Sequence, residues 1–197
     1  MVVRRLTPTP AGSAHDERLF PVDTNRRTDD RDALANDLTP EVPLVFGIEL
    51  TPEHSIDRLT DLGTAAEAAG YDAIFVSSHY NNRSPFAVLS RLAAETETVR
   101  LGPGVVNPLE RHPVTLAGEV ATVAEASDGR AVFGVGPGDP STLGNLGLAD
   151  ERGLRPVLEA FKIAQRLWDG ERVTHDGTFT AEDAGLNFGV QIGRAHV

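Results

Sequence analysis

With 197 residues, 29 acidic against 18 basic side chains and a net charge of −11, the chain excludes nucleic acid and anionic membrane as partners, because binding phosphate needs a basic face. Cysteine is absent and no apolar run approaches the roughly 20 residues of a membrane helix, which excludes disulfides, thiolate metal sites and a spanning helix. Lys162 is the single lysine, and this carboxylate-rich, lysine-poor composition points to a salt-rich cytoplasm, where screening weakens self-repulsion; no signal-type apolar stretch follows Met1–Arg5.

Residues 1–43 are rich in Pro, Thr, Arg and Asp, contain DTNRRTDDRD and show no sustained apolar period. They are expected to be a disordered tail or sequence translated from upstream of the true start, because they cannot bury enough surface to offset the entropy of ordering. At Leu44 the texture changes. LVFGIE (Leu44–Glu49) reads as a buried strand, and Thr51-Pro52 as the N-cap and first-turn proline of a helix. That helix would carry Ile56, Leu59, Leu62, Ala66 and Ala69 on one face and stop at Gly70.

DAIFVSS (Asp72–Ser78) is a second strand, followed by a helix through Val88, Leu89 and Leu92. VRLGPGVV (Val99–Val106) is a third, and its helix runs from Pro113 through Leu116, Val120 and Val123 to Gly129. RAVFGVG (Arg130–Gly136) is a fourth, followed by a helix with Leu154, Val157, Leu158, Phe161, Ala164 and Leu167 that ends before Gly170. Continuous apolar strands alternating with amphipathic helices at intervals of about 30 residues predict an α/β fold with a parallel sheet covered by helices. Either a doubly wound sheet or the first half of a (β/α)8 TIM barrel satisfies this pattern.

In both architectures ligands bind at the carboxyl ends of the strands, and here those ends are rich in polar side chains and glycine. They hold Glu49, the run Ser77-Ser78-His79-Tyr80-Asn81-Asn82-Arg83, the run Gly102-Pro103-Gly104-Val105-Val106-Asn107, and the run Gly134-Val135-Gly136-Pro137-Gly138-Asp139. Loops that only connected elements would rarely need this inventory, so the four ends read as the wall of a site. Singly, each has a plainer reading: Glu49 as a structural carboxylate, His79 as a packing residue. His54, His112 and His175 lack metal-ligand spacing, and Asp139 stands where a dinucleotide fingerprint wants its third glycine. Gly-Pro-Gly at two strand ends is expected to let the backbone approach a flat ring.

The combination of FGIE, HYNNR, LGPGVVNPLERHP, GRAVFGVGPGD and WDGERVTHDGTF, from Leu44 to Phe179, resembles the methylenetetrahydromethanopterin reductases, members of the luciferase-like barrel superfamily. The resemblance implies a TIM barrel, the deazaflavin coenzyme F420 and hydride transfer to the methylene carbon of a tetrahydropterin, with FMN the less favoured cofactor. It implies that Glu49 protonates the departing nitrogen, and that His79 and Asp139 position the pterin or stabilise charge. Ser78, Gly104, Val105, Asn107 and Gly138 would bind the coenzyme, with a cis peptide between Gly104 and Val105 behind its ring. The family's aspartate before the histidine is Ser78 here, which cannot carry charge. Tetrahydrofolate is an alternative to tetrahydromethanopterin, and a homo-oligomer is expected of the full-length protein. Another luciferase-like flavin or F420 oxidoreductase is the competing enzyme, and a fragment that only binds partners the competing non-enzyme; the reductase activity is expected of the intact protein, and the 197-residue chain by itself is expected to be inactive.

A barrel of this kind needs eight strands in about 250 residues, so residues 44–191 are expected to be its N-terminal half. The final residues, Ile192–Val197, read as one frame of a common sequencing adapter, ATC GGA AGA GCA CAC GTC, and are expected not to be biological.

Overall fold

The computed structural model describes residues 45–148 and 153–189, together with the backbone of residues 2–5. Most of the expected tail and the terminal Ile192–Val197 lie outside the described residues. In chain order the elements are β1 (Val2–Arg5), β2 (Gly47–Leu50), α1 (Ile56–Ala68), β3 (Ala73–Val76), α2 (Pro85–Glu95), β4 (Arg100–Pro103), α3 (Pro113–Ala126), β5 (Val132–Val135), α4 (Pro140–Asn145), α5 (Leu154–Trp168), β6 (Val173–Asp176) and β7 (Thr180–Ala184).

The apolar runs become a parallel sheet. β2 pairs with β3 from Gly47↔Ala73 to Leu50↔Val76, and β3 with β4 from Ala73↔Arg100 to Val76↔Pro103. β5 joins β4 through parallel bridges at Leu101↔Ala131 and Val106↔Val135. Within the segment expected to be a tail, residues 2–5 instead form a strand, antiparallel to β5 from Val2↔Val135 to Arg5↔Val132. The unpaired N–H and C=O groups along an outer strand are a template for such pairing.

Each helix packs a stripe of small and aliphatic residues on the sheet. α2 buries Phe86, Val88, Leu89, Leu92 and Ala93, and α3 buries Leu116, Ala117, Val120, Ala121, Val123 and Ala124. α5 buries Val157, Ala160, Ile163, Ala164 and Leu167, while Leu154 and Leu158, expected on the same face, are 63% and 42% exposed. The Trp168 indole N–H donates to the Ala117 carbonyl at 2.9 Å and the ring meets Phe133 edge-on at 5.2 Å, which fixes α5 against α3 and β5. Among the described residues no helix is long and apolar enough to cross a membrane.

Two helix starts differ from the sequence pattern. Thr51 is not the cap of α1: the Glu53 N–H donates to the Thr51 carbonyl in a turn containing buried Pro52. The helix begins at Ser55, whose hydroxyl accepts from the Arg58 N–H at 3.3 Å. Ile56 and Ala69 accordingly fall on the exposed side. α4 has no counterpart in the predicted elements, because six residues are too few to show a helical period.

Beneath the sheet, Glu67 and Arg130 satisfy groups that the turns leave open. Glu67 accepts from the backbone N–H groups of Glu97, Thr98 and Val99. Burial opposes its ionisation, yet these donors, Thr98 foremost, hold the carboxyl below its usual range. The Arg130 guanidinium donates to the carbonyls of Ala93, Thr96, Val99 and Ser127, tying α2 and α3 to the starts of β4 and β5.

After α5 the chain forms an antiparallel hairpin, β6 with β7. Glu159 of α5 holds it: its carboxylate accepts from Arg155 at 2.6 Å, from the Thr178 N–H at 2.7 Å and from His175 at 3.3 Å. The Arg155 hydrogen bond, helped by Thr178 and His175 and opposed by burial, brings the Glu159 pKa down to about 2. A carboxylate whose folded pKa lies below its unfolded value of about 4.3 stabilises the fold above that value and ceases to as the pH falls through the folded pKa. Glu159→Gln is therefore expected to be less stable than wild type at pH 6, with the difference closing between about pH 4.3 and pH 2. Urea unfolding of both proteins across that range measures it.

Candidate active site

The carboxyl ends of β2, β3, β4 and β5 open into one cleft of about 320 Å³. Glu49 reaches it from β2, Ser77, Ser78 and His79 follow β3, Gly104, Val105, Asn107 and Glu110 follow β4, and Pro137, Gly138, Asp139 and Thr142 follow β5. All eight residues singled out in the sequence, Glu49, Ser78, His79, Gly104, Val105, Asn107, Gly138 and Asp139, line this space. Four chain segments far apart in sequence thus converge because parallel strands deliver their loops to one edge.

The side chains differ in what they are free to do. Asp139 caps α4, accepting from the Ser141 hydroxyl at 2.6 Å and the Thr142 N–H at 2.8 Å. The Ser141 hydrogen bond, with Thr142 beside it, holds the carboxyl far below the usual range, so Asp139 is an anion that can face positive charge but is unsuited to donating a proton. Asn107 is buried and spans two loops: its Oδ1 accepts from the Leu109 N–H at 2.9 Å and its Nδ2 donates to the Pro137 carbonyl at 3.2 Å. Glu49 and His79 are exposed at the rim, and Ser78 is half-buried.

Besides Pro137 and Thr142, two cleft residues were not singled out as site residues from the sequence. Burial pushes the Glu110 carboxyl up from its ordinary value, with His79 and Arg111 tempering the rise. The Arg111 guanidinium is bonded to Glu119 at 2.7 Å and lies 5.7 Å from the Phe86 ring centre. Position alone signalled Glu110: it ends a turn whose N–H donates to the Asn107 carbonyl at 3.3 Å, which returns its side chain to the strand end. Ser77 is the other. It is buried, and its hydroxyl has no protein partner among the described residues.

The loops are tied to one another around the opening. Arg83 donates to the Glu53 carbonyl at 2.7 Å, joining the β3–α2 and β2–α1 loops. Asn145 of α4 donates to the Tyr80 hydroxyl at 3.1 Å.

The glycines act differently from the expectation that they admit a ring. A Cβ on Gly104 would stand 2.6 Å from the Cβ of Phe75, and one on Gly136 would stand 2.7 Å from a Val105 methyl. On Gly138 it would strike the Asn107 amide. The space each glycine leaves is taken by protein, so these residues bring the loops together and shape the cleft from behind. The peptide between Gly104 and Val105 is cis, as the resemblance implies.

Residues 42–189 match the family model for luciferase-like monooxygenases. The chain belongs to this family. It is 39% identical over 144 residues to the 5,10-methylenetetrahydromethanopterin reductase of Archaeoglobus fulgidus, covering 73% of this chain and 43% of that protein. It is 38% identical over 152 residues to an F420-dependent glucose-6-phosphate dehydrogenase of Microbacterium testaceum, covering 70% of this chain and 45% of that one. The solved structure of the coenzyme F420-dependent tetrahydromethanopterin reductase from Methanopyrus kandleri superposes with a TM-score of 0.68 at 31% identity, over 73% of this chain and 46% of that one. The chain thus spans a little under half the length of these relatives, and its alternating parallel βα units are a partial TIM barrel rather than a doubly wound sheet.

The role of Gly104 has a direct test with an internal control. Gly104→Ala is expected to destabilise the fold by about 1–3 kcal/mol through overpacking against Phe75. Gly144→Ala, whose new methyl meets nothing within 4 Å inside α4, is expected to be neutral or to stabilise by about 0.5–1 kcal/mol. Denaturant unfolding of the two variants compares them.

Proposed function

We propose that this chain belongs to an F420-dependent methylenetetrahydropterin reductase, with tetrahydromethanopterin favoured over tetrahydrofolate as the pterin. The observation that carries this reading is the convergence of Glu49, His79 and Asp139 on one cleft beside the Gly104–Val105 step, in a chain 34–42% identical to three such reductases. The residues present suit a flat ring with a polar edge. Val105 and Pro137 offer apolar surface, Ser78 and His79 accessible polar groups, and the volume falls in the range of small-molecule sites. Ser78, Gly104, Val105, Asn107 and Gly138 would hold the coenzyme there, and when bound in reduced form it supplies a hydride.

The chain's own residues account for what remains. Opening the five-membered ring of the methylene pterin breaks a C–N bond whose electron pair stays on nitrogen, and that nitrogen needs a proton. Glu49, on the cleft rim, is the group assigned to deliver it. The iminium left behind is positive and short-lived. Asp139, kept anionic by the cap of α4, is suited to stabilise that charge, and His79 to orient the pterin.

The 38% identity to a sugar-phosphate dehydrogenase favours one competing reading, F420-dependent oxidation of an alcohol or sugar phosphate. Assays of a full-length protein that contains this chain, wild type and variant alike, separate them. Reduced F420 with methylenetetrahydromethanopterin or methylenetetrahydrofolate should be oxidised, whereas reduction of oxidised F420 by glucose 6-phosphate without pterin turnover would support the competitor. Glu49→Gln is expected to lower pterin turnover at least about a hundredfold while coenzyme affinity stays within about twofold of wild type. Steady-state rates and fluorescence titration give the two numbers, and near-normal turnover would remove Glu49 from the mechanism.

A further inference from the structure

Of the three carboxyl groups that line the cleft, Glu110 is the one to which neither the fold nor the reaction has given a task. Asp139 caps α4 and Glu49 stands in solvent, whereas Glu110 is half-buried at the end of the turn that follows β4. That turn is firmly held. The Glu110 N–H donates to the Asn107 carbonyl at 3.3 Å, and the Asn107 Oδ1 accepts from the Leu109 N–H at 2.9 Å. The Asn107 amide in turn donates to the Pro137 carbonyl at 3.2 Å. Glu110 is thus fixed relative to the loops that follow both β4 and β5.

Its carboxyl group is open to a ligand. It makes no hydrogen bond or ion pair among the described residues, and its oxygens, unlike the sealed Ser77 hydroxyl, keep access to solvent. His79 acts electrostatically on this carboxyl, which puts it on the side of the cleft where the reading above has the pterin. A carboxylate that has lost water and gained no donor is disfavoured, and burial accordingly raises the Glu110 pKa. A ligand that brings N–H groups offsets that penalty.

We propose that Glu110 selects the pterin by accepting the paired N–H donors of its 2-amino-4-oxopyrimidine ring, an inference that rests on the methylenetetrahydropterin reading above. Two carboxylate oxygens side by side match the ring N3–H and the 2-amino group, which are adjacent donors. The pyrimidine edge of a deazaflavin or flavin does not match: its single N–H lies between two carbonyls, whose lone pairs would face the carboxylate. A sugar phosphate is opposed outright, anion against anion. At this position the carboxyl therefore favours the pterin over both.

A carboxylate that waits for a ligand and one that supports the fold respond differently to removal. Glu110→Gln keeps the shape but turns one acceptor into a donor, and Glu110→Ala removes both acceptors. In each, the dissociation constants for tetrahydromethanopterin and tetrahydrofolate should rise about ten- to a hundredfold, the usual loss for hydrogen bonds to a charged group. The F420 dissociation constant should stay within about twofold of wild type. The ligand-free melting temperature of Glu110→Gln should stay level or rise, because an unpaired, half-buried charge is gone.

The experiment uses a full-length protein that contains this chain, as wild type, Glu110→Gln and Glu110→Ala. Calorimetric titration with each pterin, fluorescence titration with F420 and ligand-free thermal melts give the numbers. Lost pterin affinity in both variants, with coenzyme affinity and the Glu110→Gln melting temperature retained, supports the contact. Pterin affinity within about twofold of wild type in Glu110→Gln overturns it, as does an equal weakening of F420 or a lower Glu110→Gln melting temperature. A loss that Glu110→Ala does not share traces to the amide donor and overturns it as well. Wild type that binds neither pterin overturns the pterin reading and this inference with it, whereas wild-type pterin binding that the substitutions leave untouched overturns this inference alone.

Discussion

The close passage of β4 and β5 is the constraint on which the site depends. A Cβ on Gly102 would collide with the Val132 carbonyl oxygen, and one on Gly134 with the Pro103 carbonyl oxygen, so the strands can lie this close only with glycine at both positions. Their loops consequently leave the sheet side by side. Asn107 then reaches from one loop to the Pro137 carbonyl of the other, and Gly138, at φ +72°, turns the second loop past the Asn107 amide toward α4. At the opposite end of the same strands, Arg130 collects four backbone carbonyls, so the register is held both where the strands begin and where they end. The cleft is the outcome of this backbone geometry before any side chain enters it.

Within that frame, local environment divides three carboxyl groups that the sequence alone presents as equivalent. Asp139 spends its lone pairs on the first turn of α4 and is held as an anion. Glu110 lies partly buried, its carboxyl without a hydrogen bond or ion pair among the described residues, and burial raises its affinity for a proton. Glu49 stands exposed on the rim. Asp139 and Glu110 are thus driven in opposite directions by their surroundings within one cleft.

The strands were legible because a buried parallel strand writes a short, nearly unbroken apolar run, as in AIFV and VFGV. Their order along the chain also placed the polar loops at one edge, so that with the family resemblance eight residues lining the cleft could be named without coordinates. What stayed hidden was whatever depends on contact between distant segments. Nothing in the sequence distinguishes a glycine that admits a ligand from one that admits Phe75, and the periodic stripe of α5 does not reveal that Leu154 and Leu158 lie off its covered face. Ser55 rather than Thr51 caps α1 because the chain makes one more turn around Pro52, a choice made by packing. α4 escaped notice for want of length, although Asp139-Pro140 is a good cap and first-turn pair in hindsight.

The rim bond between Tyr80 and Asn145 bears on how fast the cleft can exchange its contents. A neutral, exposed pair of this kind contributes about 1 kcal/mol, so thermal motion breaks it in roughly one molecule in six at any instant. Surface loops explore such openings within nanoseconds to microseconds. This contact therefore does not hold back entry on timescales longer than microseconds.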